Sequence, residues 1–282
     1  MTIQTIGIIG AGLMGNGIAQ ICAVSGLRVI LLDVNPAAIE RAIKTLSGSL
    51  DRLIKKEKMT EAQKVDALAR IQGSSSMQEL AGADFIIEAA TENLDLKRRI
   101  LKDADAIARP GVIIATNTSS ISITELAAGT ARPSEFIGMH FFNPVPMMAL
   151  VEIIRAVQTS DATFTATEAL SKRVGKAPIC VRNAPGFVVN RILCPMINEA
   201  IFVLAEGLAS AEDIDKGMQL GTNAPIGPLA LADLVGLDTL LSVMNVFYEG
   251  FNDSKYRPAP LLKEMVAAGY LGRKSGKGFY TY

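Results

Sequence analysis

One histidine, His140, occurs in this chain of 282 residues. It stands in Gly138-Met139-His140-Phe141-Phe142-Asn143-Pro144, directly after the apolar pair Phe136-Ile137. Imidazole titrates near neutrality, so a histidine at a strand end suits the task of taking a proton from a hydroxyl group. Such a base needs an orienting carboxylate. Glu152 is the candidate, because it interrupts the apolar run Ala149-Leu150-Val151-Glu152-Ile153-Ile154. A charge there is costly to bury unless it is paired. If the chain doubles back through Pro144 and Pro146, Glu152 reaches His140. The plainer alternatives are a structural histidine near a strand end and a carboxylate on an exposed strand edge.

A second chemistry lies in Gly10-Ala11-Gly12-Leu13-Met14-Gly15. The apolar run Ile6-Gly7-Ile8-Ile9 precedes it and a helical pattern from Leu13 follows. In that context Gly10 makes a tight turn, Gly12 lets the backbone approach a pyrophosphate, and Gly15 lets helix and strand pack closely. The helix N-terminus then faces the negative charge, with Leu13 and Met14 inside the same cofactor contact. The next apolar run closes on Asp33, 18 residues after Gly15. A carboxylate there accepts hydrogen bonds from ribose hydroxyls and repels a 2′-phosphate. No arginine follows in Val34-Asn35, so NAD is predicted over NADP.

Other polar groups sit in telling places. Asn117-Thr118-Ser119-Ser120 follows an apolar run and supplies short hydrogen-bonding groups at a strand end, or caps a helix before Ile121. Glu92, after another such run, faces the nicotinamide end with Lys97 one turn on, or serves the helix dipole. Asn190 interrupts an apolar stretch and hydrogen-bonds a substrate or a neighbouring helix. Lys55, Lys56 and Lys58 contact a phosphate or form a solvated face. Lys274 lies in a glycine-rich tail that folds over a ligand or is a mobile terminus. One histidine with scattered Cys22, Cys180 and Cys194 gives no metal-ligand cluster.

These residues need a scaffold. Runs at 6–9, 29–32, 85–87 and 112–115 read as strands buried on both faces, the mark of a parallel sheet in an α/β fold. Between them, Asn35 caps and Pro36 opens a helix with its apolar stripe at Ile39, Ile43, Leu46, Leu50 and Leu53. Thr60 and Gln63 have capping-box spacing for a second helix, and this long pair reaches out towards a ligand. Beyond residue 183 helical patterns dominate and no good strand is seen. The boundary therefore falls between 1–183 and 184–282. The apolar segment 188–204 must be buried, and a domain of under a hundred residues needs a partner subunit to do it.

Lys+Arg and Asp+Glu both number 28, which leaves no basic surplus for nucleic acid or an anionic membrane. Three cysteines without a CxxC pair suit a reducing compartment, with the thiols as small core residues. Glycines and polar residues break the uncharged N-terminal stretch, against a signal peptide or anchor. A soluble cytoplasmic protein is expected.

Taken in order, GAGLMGNGIA, TNTSS, GMHFFNPVP, NAPGFVVNR, GPLALADLVGLD and GRKSGKGFY resemble the 3-hydroxyacyl-CoA dehydrogenases over essentially the whole chain, and most of all the short-chain bacterial ones acting on 3-hydroxybutyryl-CoA. The resemblance implies a Rossmann-type NAD domain with a mostly parallel sheet, followed by an all-helical C-terminal domain that forms a homodimer. It implies NAD-dependent, reversible oxidation of (S)-3-hydroxybutyryl-CoA to acetoacetyl-CoA. By motif, His140 is the base and Glu152 its partner, while Ser119 and Asn190 hold substrate. Glu92, Lys97, Ser119, Asn143 and Lys274 lie at the cofactor, and Ser49 and Lys56 hold coenzyme A. One departure is Ala224, where many relatives carry histidine, and any hydrogen bond made by that histidine is absent. The alternatives are 3-hydroxyadipyl-CoA as substrate, a hydroxy acid without coenzyme A, or a non-catalytic NAD-binding protein.

Overall fold

The buried apolar runs become strands of a single eight-stranded sheet in the computed structural model, which describes residues 2–282. The strands are β1 (Thr5–Ile9), β2 (Arg28–Leu32), β3 (Ile71–Ser74), β4 (Phe85–Glu88), β5 (Ile113–Thr116), β6 (Phe136–Phe141), β7 (Leu150–Arg155) and β8 (Ala177–Arg182). Their order is β3-β2-β1-β4-β5-β6-β7-β8. Every neighbouring pair is parallel except β6 and β7. β1, β4 and β5 are buried at every position, as strands covered on both faces must be. The order runs outward from β1 to β3 on one side and from β4 onward on the other. The carboxyl ends of β1 and β4 therefore flank the crevice where ligands of such sheets bind.

The helices of this first unit, which ends at Asn183, are α1 (Leu13–Val24), α2 (Pro36–Lys55), α3 (Glu61–Ala69), α4 (Leu94–Ile107), α5 (Ile123–Ala128) and α6 (Asp161–Arg173). Asn35 caps α2 by accepting from the Ala37 amide, and α2 buries Ile39, Ala42, Leu46 and Leu50. Thr60 and Gln63 form the reciprocal capping box of α3. Two strands carry no sequence signal. β3 holds Gln72 and Gly73 and is half exposed, and β8 is the outermost strand with most residues exposed. Exposure of β8 corrects one expectation, because Cys180 is on the surface and not in a core. Cys22 and Cys194 are buried, and burial pushes each thiol up to about 12.

The second unit, Ala184–Tyr282, is helical. It comprises α7 (Val189–Ala205), α8 (Ala211–Thr222), α9 (Pro228–Val235), α10 (Leu237–Phe251) and α11 (Pro260–Ala267). Its core gathers Ile197, Ile201, Leu229, Leu237, Met244 and Phe247. Within the single chain α7 is only partly covered: Ile192 is 68% and Met196 40% exposed. A core this small covers one stripe of an all-round apolar helix and leaves the other open. The glycine-rich tail is pinned, not mobile. Asp233 accepts from the amides of Phe279 (3.0 Å) and Tyr280 (2.9 Å), and Asp215 accepts from the Tyr280 hydroxyl (2.8 Å). Among the described residues no single helix is long and apolar enough to cross a membrane.

Candidate active site

Three glycines shape the turn after β1 in different ways. Gly10 has φ +104°, and a Cβ there would lie 2.7 Å from the Ala89 carbonyl oxygen. A Cβ on Gly15 would lie 1.8 Å from the Gly10 carbonyl oxygen. Both are needed for the turn to close. A Cβ on Gly12 would meet nothing within 4 Å, so the space over the N-terminus of α1 is left for ligand atoms. No side chain caps that terminus and no acidic residue sits in its first turn. Its amides are therefore available to an anion.

Asp33 ties the end of β2 to this turn, accepting from Ala11 N at 2.9 Å and Asn35 N at 2.9 Å. It lines two clefts. One, of about 410 Å³, runs past Gly12, Leu13, Arg41 and Thr45. The other, of about 430 Å³, is walled by Val34, Met77, Leu96 and Ile100, an apolar slot suited to a planar base. Backbone donors, a ribose acceptor and a slot for a base together fit a dinucleotide. Sequence reasoning missed Arg41. It lies well after Asp33 along the chain, and α2 brings it back over the same cleft.

At the ends of β4 and β5, a buried cluster forms around Glu88, another residue that sequence reasoning passed over. Its Oε2 receives Lys97 Nζ at 2.5 Å and Thr116 Oγ1 at 2.7 Å, and its Oε1 accepts from Ala90 N at 2.9 Å. The only sequence signal was a carboxylate closing an apolar strand. Lys97 thus has its ammonium on Glu88 while lining a cleft of about 270 Å³ with Met14, Ala90, Glu92 and Asn117. Glu92 accepts from Thr118 Oγ1 (2.7 Å), Ser119 N (2.9 Å) and Ser119 Oγ (3.3 Å). The structure therefore brings Glu92 and Ser119 together. Asn117 Oδ1 accepts from Phe141 N at 2.8 Å, which locks the end of β5 to the residue after His140.

The antiparallel register of β6 and β7 sets His140 opposite Glu152. His140 Nδ1 lies 2.7 Å from Glu152 Oε2, and Glu152 is 0% exposed. Glu152 is not on an edge, since β8 covers β7. A carboxylate only accepts hydrogen bonds, so Nδ1 donates and the basic lone pair is on Nε2. Phe142 packs beside the ring at 4.6 Å. This pair can act as an oriented general base at the carboxyl edge of the sheet.

Asn143 is exposed just beyond β6. Ser49 is half-buried on α2 and Lys56 is that helix's exposed C-cap. Their spacing of seven residues places them two turns apart on one face. Asn190 and Lys274 belong to the second unit. Asn190 is half-buried in the first turn of α7. Lys274 Nζ pairs with Asp238 Oδ1 at 2.5 Å. Burial opposes ionisation of Asp238, yet the bonds from Lys274 and Thr239 N outweigh it and hold the carboxyl below its usual range. Ala224 follows the left-handed Asn223 that ends α8.

Comparison with known proteins matches both units. Residues 5–184 match the family model for the 3-hydroxyacyl-CoA dehydrogenase NAD binding domain, and residues 186–282 that for the C-terminal domain. A 3-hydroxybutyryl-CoA dehydrogenase of Bradyrhizobium diazoefficiens is 50% identical over 99% of this chain and 96% of its own length. A probable 3-hydroxybutyryl-CoA dehydrogenase of Bacillus subtilis is 51% identical over 100% of this chain and 98% of its own. The crystal structure of (S)-3-hydroxybutyryl-CoA dehydrogenase PaaH1 from Ralstonia eutropha superposes with a TM-score of 0.98 at 66% identity, covering 100% of this chain and 99% of that one.

Proposed function

The chain belongs to the 3-hydroxyacyl-CoA dehydrogenase family, and from that premise we propose that it interconverts (S)-3-hydroxybutyryl-CoA and acetoacetyl-CoA. Its cofactor is NAD. The observation that carries the catalytic reading is the buried His140–Glu152 contact of 2.7 Å at the end of β6. The cofactor, when bound, would supply the acceptor for hydride from C3 of the substrate and, reduced, the donor in the reverse direction. The turn at 10–15 and Asp33 hold it. His140 takes the 3-hydroxyl proton on Nε2, and Glu152 stabilises the imidazolium that forms. A positioned base of this kind contributes about 10²- to 10⁴-fold. Ser119 and Asn190 hydrogen-bond the substrate oxygen, and Glu92 orients Ser119. Asn143, Lys97 and Lys274 serve the cofactor side. Ser49 and Lys56 hold coenzyme A from one face of α2.

The same reading takes the second unit as the homodimer surface, supported by the open apolar stripe of α7. A cytoplasmic setting is supported by three cysteines without a CxxC pair, which suit a reducing compartment, and is tested by cell fractionation. The test of function is a steady-state panel of 3-oxoacyl-CoA chain lengths with NADH and NADPH. Acetoacetyl-CoA with NADH is expected to give the highest kcat/KM. A preference for 3-oxoadipyl-CoA, for longer chains or for free 3-oxo acids would overturn the substrate. No turnover with any of them would overturn the activity.

A further inference from the structure

We propose that Lys176 is a positioning residue for this reaction, its buried ammonium fastening the segment 143–149 that joins the His140 strand to the Glu152 strand. The inference rests on the dehydrogenase reading above. Lys176 is 7% exposed, and its Nζ lies 2.5 Å from the Val145 carbonyl oxygen and 2.7 Å from that of Met148. Among the described residues no carboxylate lies within ion-pair distance of it. A buried cation held by carbonyls alone is costly. Burial accordingly draws its pKa below the usual lysine range. Such a group persists where its three rotatable donors fix something that an apolar side chain could not.

What it fixes is a turn. Pro144 O accepts from Met147 N (2.9 Å) and Met148 N (3.0 Å), which brings the Val145 and Met148 carbonyls round to one ammonium. Lys176 is itself anchored: its amide donates to Ser171 O at 2.9 Å, and Ala177 N donates to Ala149 O at 2.8 Å. On its other side the segment rests on the cofactor helix. Val145 is buried, and a Cβ on Gly17 of α1 would come within 2.7 Å of Val145 Cβ. One short segment therefore touches α1, carries Asn143 and bridges the two strands of the base and its carboxylate. Without Lys176 it would shift against α1, and the cofactor side of the site would loosen first.

The experiment compares wild type, Lys176→Met and Lys176→Arg by NADH titration and by kinetics with acetoacetyl-CoA. Misplacing groups by about 1 Å can cost on the order of 10²-fold in rate. Lys176→Met is expected to raise the NADH Kd at least about tenfold and lower kcat, with KM for acetoacetyl-CoA within about twofold. Lys176→Arg, which keeps charge and donors, is expected to recover most of the loss. In the wild-type chain, NADH is expected to slow hydrogen exchange at Met147 and Met148, and acetoacetyl-CoA alone is not. An NADH Kd within about twofold of wild type in folded Lys176→Met overturns the proposal. So does exchange at those amides that is indifferent to NADH, a measurement that stands even if the variant does not fold. Wild type that binds NADH but turns nothing over would count against the dehydrogenase reading and leave this one to the binding and exchange results.

Discussion

The contact between Glu152 and His140 decides which ring nitrogen carries the proton. A carboxylate on Nδ1 can only accept, so Nε2 is left basic. An amide in its place can turn its NH2 group to Nδ1, which moves the ring proton to Nε2 and removes the base. Glu152→Gln is therefore expected to lower kcat by about 10²- to 10⁴-fold, as wrong-tautomer and lost-base variants do. The NADH Kd, read by fluorescence titration, should stay within about twofold, since the substitution keeps the size of the side chain and leaves the turn at 10–15 and Asp33 untouched. A variant keeping more than about a tenth of wild-type turnover would remove Glu152 from the orienting role. Sequence made Glu152 a candidate because its charge interrupts an apolar run and so demands a partner, and His140 because the one imidazole of the chain follows an apolar pair at a strand end, where it suits taking a proton. Glu88 carried no such signal. It closes its run at a strand end, where an acid reads equally as a solvated residue, and its partners Ala90, Lys97 and Thr116 come from a turn, a helix and another strand.

Among the elements, the turn between β1 and α1 separates what glycine does for the fold from what it does for the ligand. A methyl on Gly15 would collide with the Gly10 carbonyl oxygen at 1.8 Å, so the turn must open. Gly15→Ala is expected to lose more than about 2 kcal/mol, visible as a thermal midpoint lowered by several degrees. A methyl on Gly12 meets nothing within 4 Å, and its φ of −72° suits any residue. Gly12→Ala should therefore keep its midpoint within about 2 °C while NADH affinity falls at least about tenfold, because that methyl stands where the pyrophosphate approaches. Wild-type NADH affinity in Gly12→Ala would contradict the placement of the cofactor on this turn. Element by element, legibility followed burial. β1, β2, β4 and β5 are largely buried and show as apolar runs. β3 and β8, the two outermost strands, face solvent along much of their length and need no such run. Pairing with β2 and β7 makes them strands, and that long-range register leaves no local mark.

For the whole molecule, the question is what covers the apolar surface of the second unit. Ile192 and Met196 lie one turn apart on α7 and are 68% and 40% exposed, so they share one open stripe. Met196 also borders a cleft of about 420 Å³ whose walls include Ala200, Val203, Ile214 and Met218. Leu208, Leu220 and Leu234 are exposed as well. Single exposed apolar residues are ordinary, but a stripe continuous with an apolar cleft is the mark of an association surface. A second copy of the chain is the economical occupant, because a two-fold contact sets the same stripe against itself. Sedimentation velocity at micromolar concentration is expected to give twice the chain mass for wild type. Ile192→Glu combined with Met196→Glu would bury charge without partners in that contact, and should sediment as a monomer with a thermal midpoint that no longer rises with concentration. Monomeric wild type would overturn the dimer, and a double variant that still sediments as the dimer would move the interface away from α7. The turn at 10–15 and Asp33 lie in the other unit, so NADH binding in the monomeric variant should survive even where turnover falls.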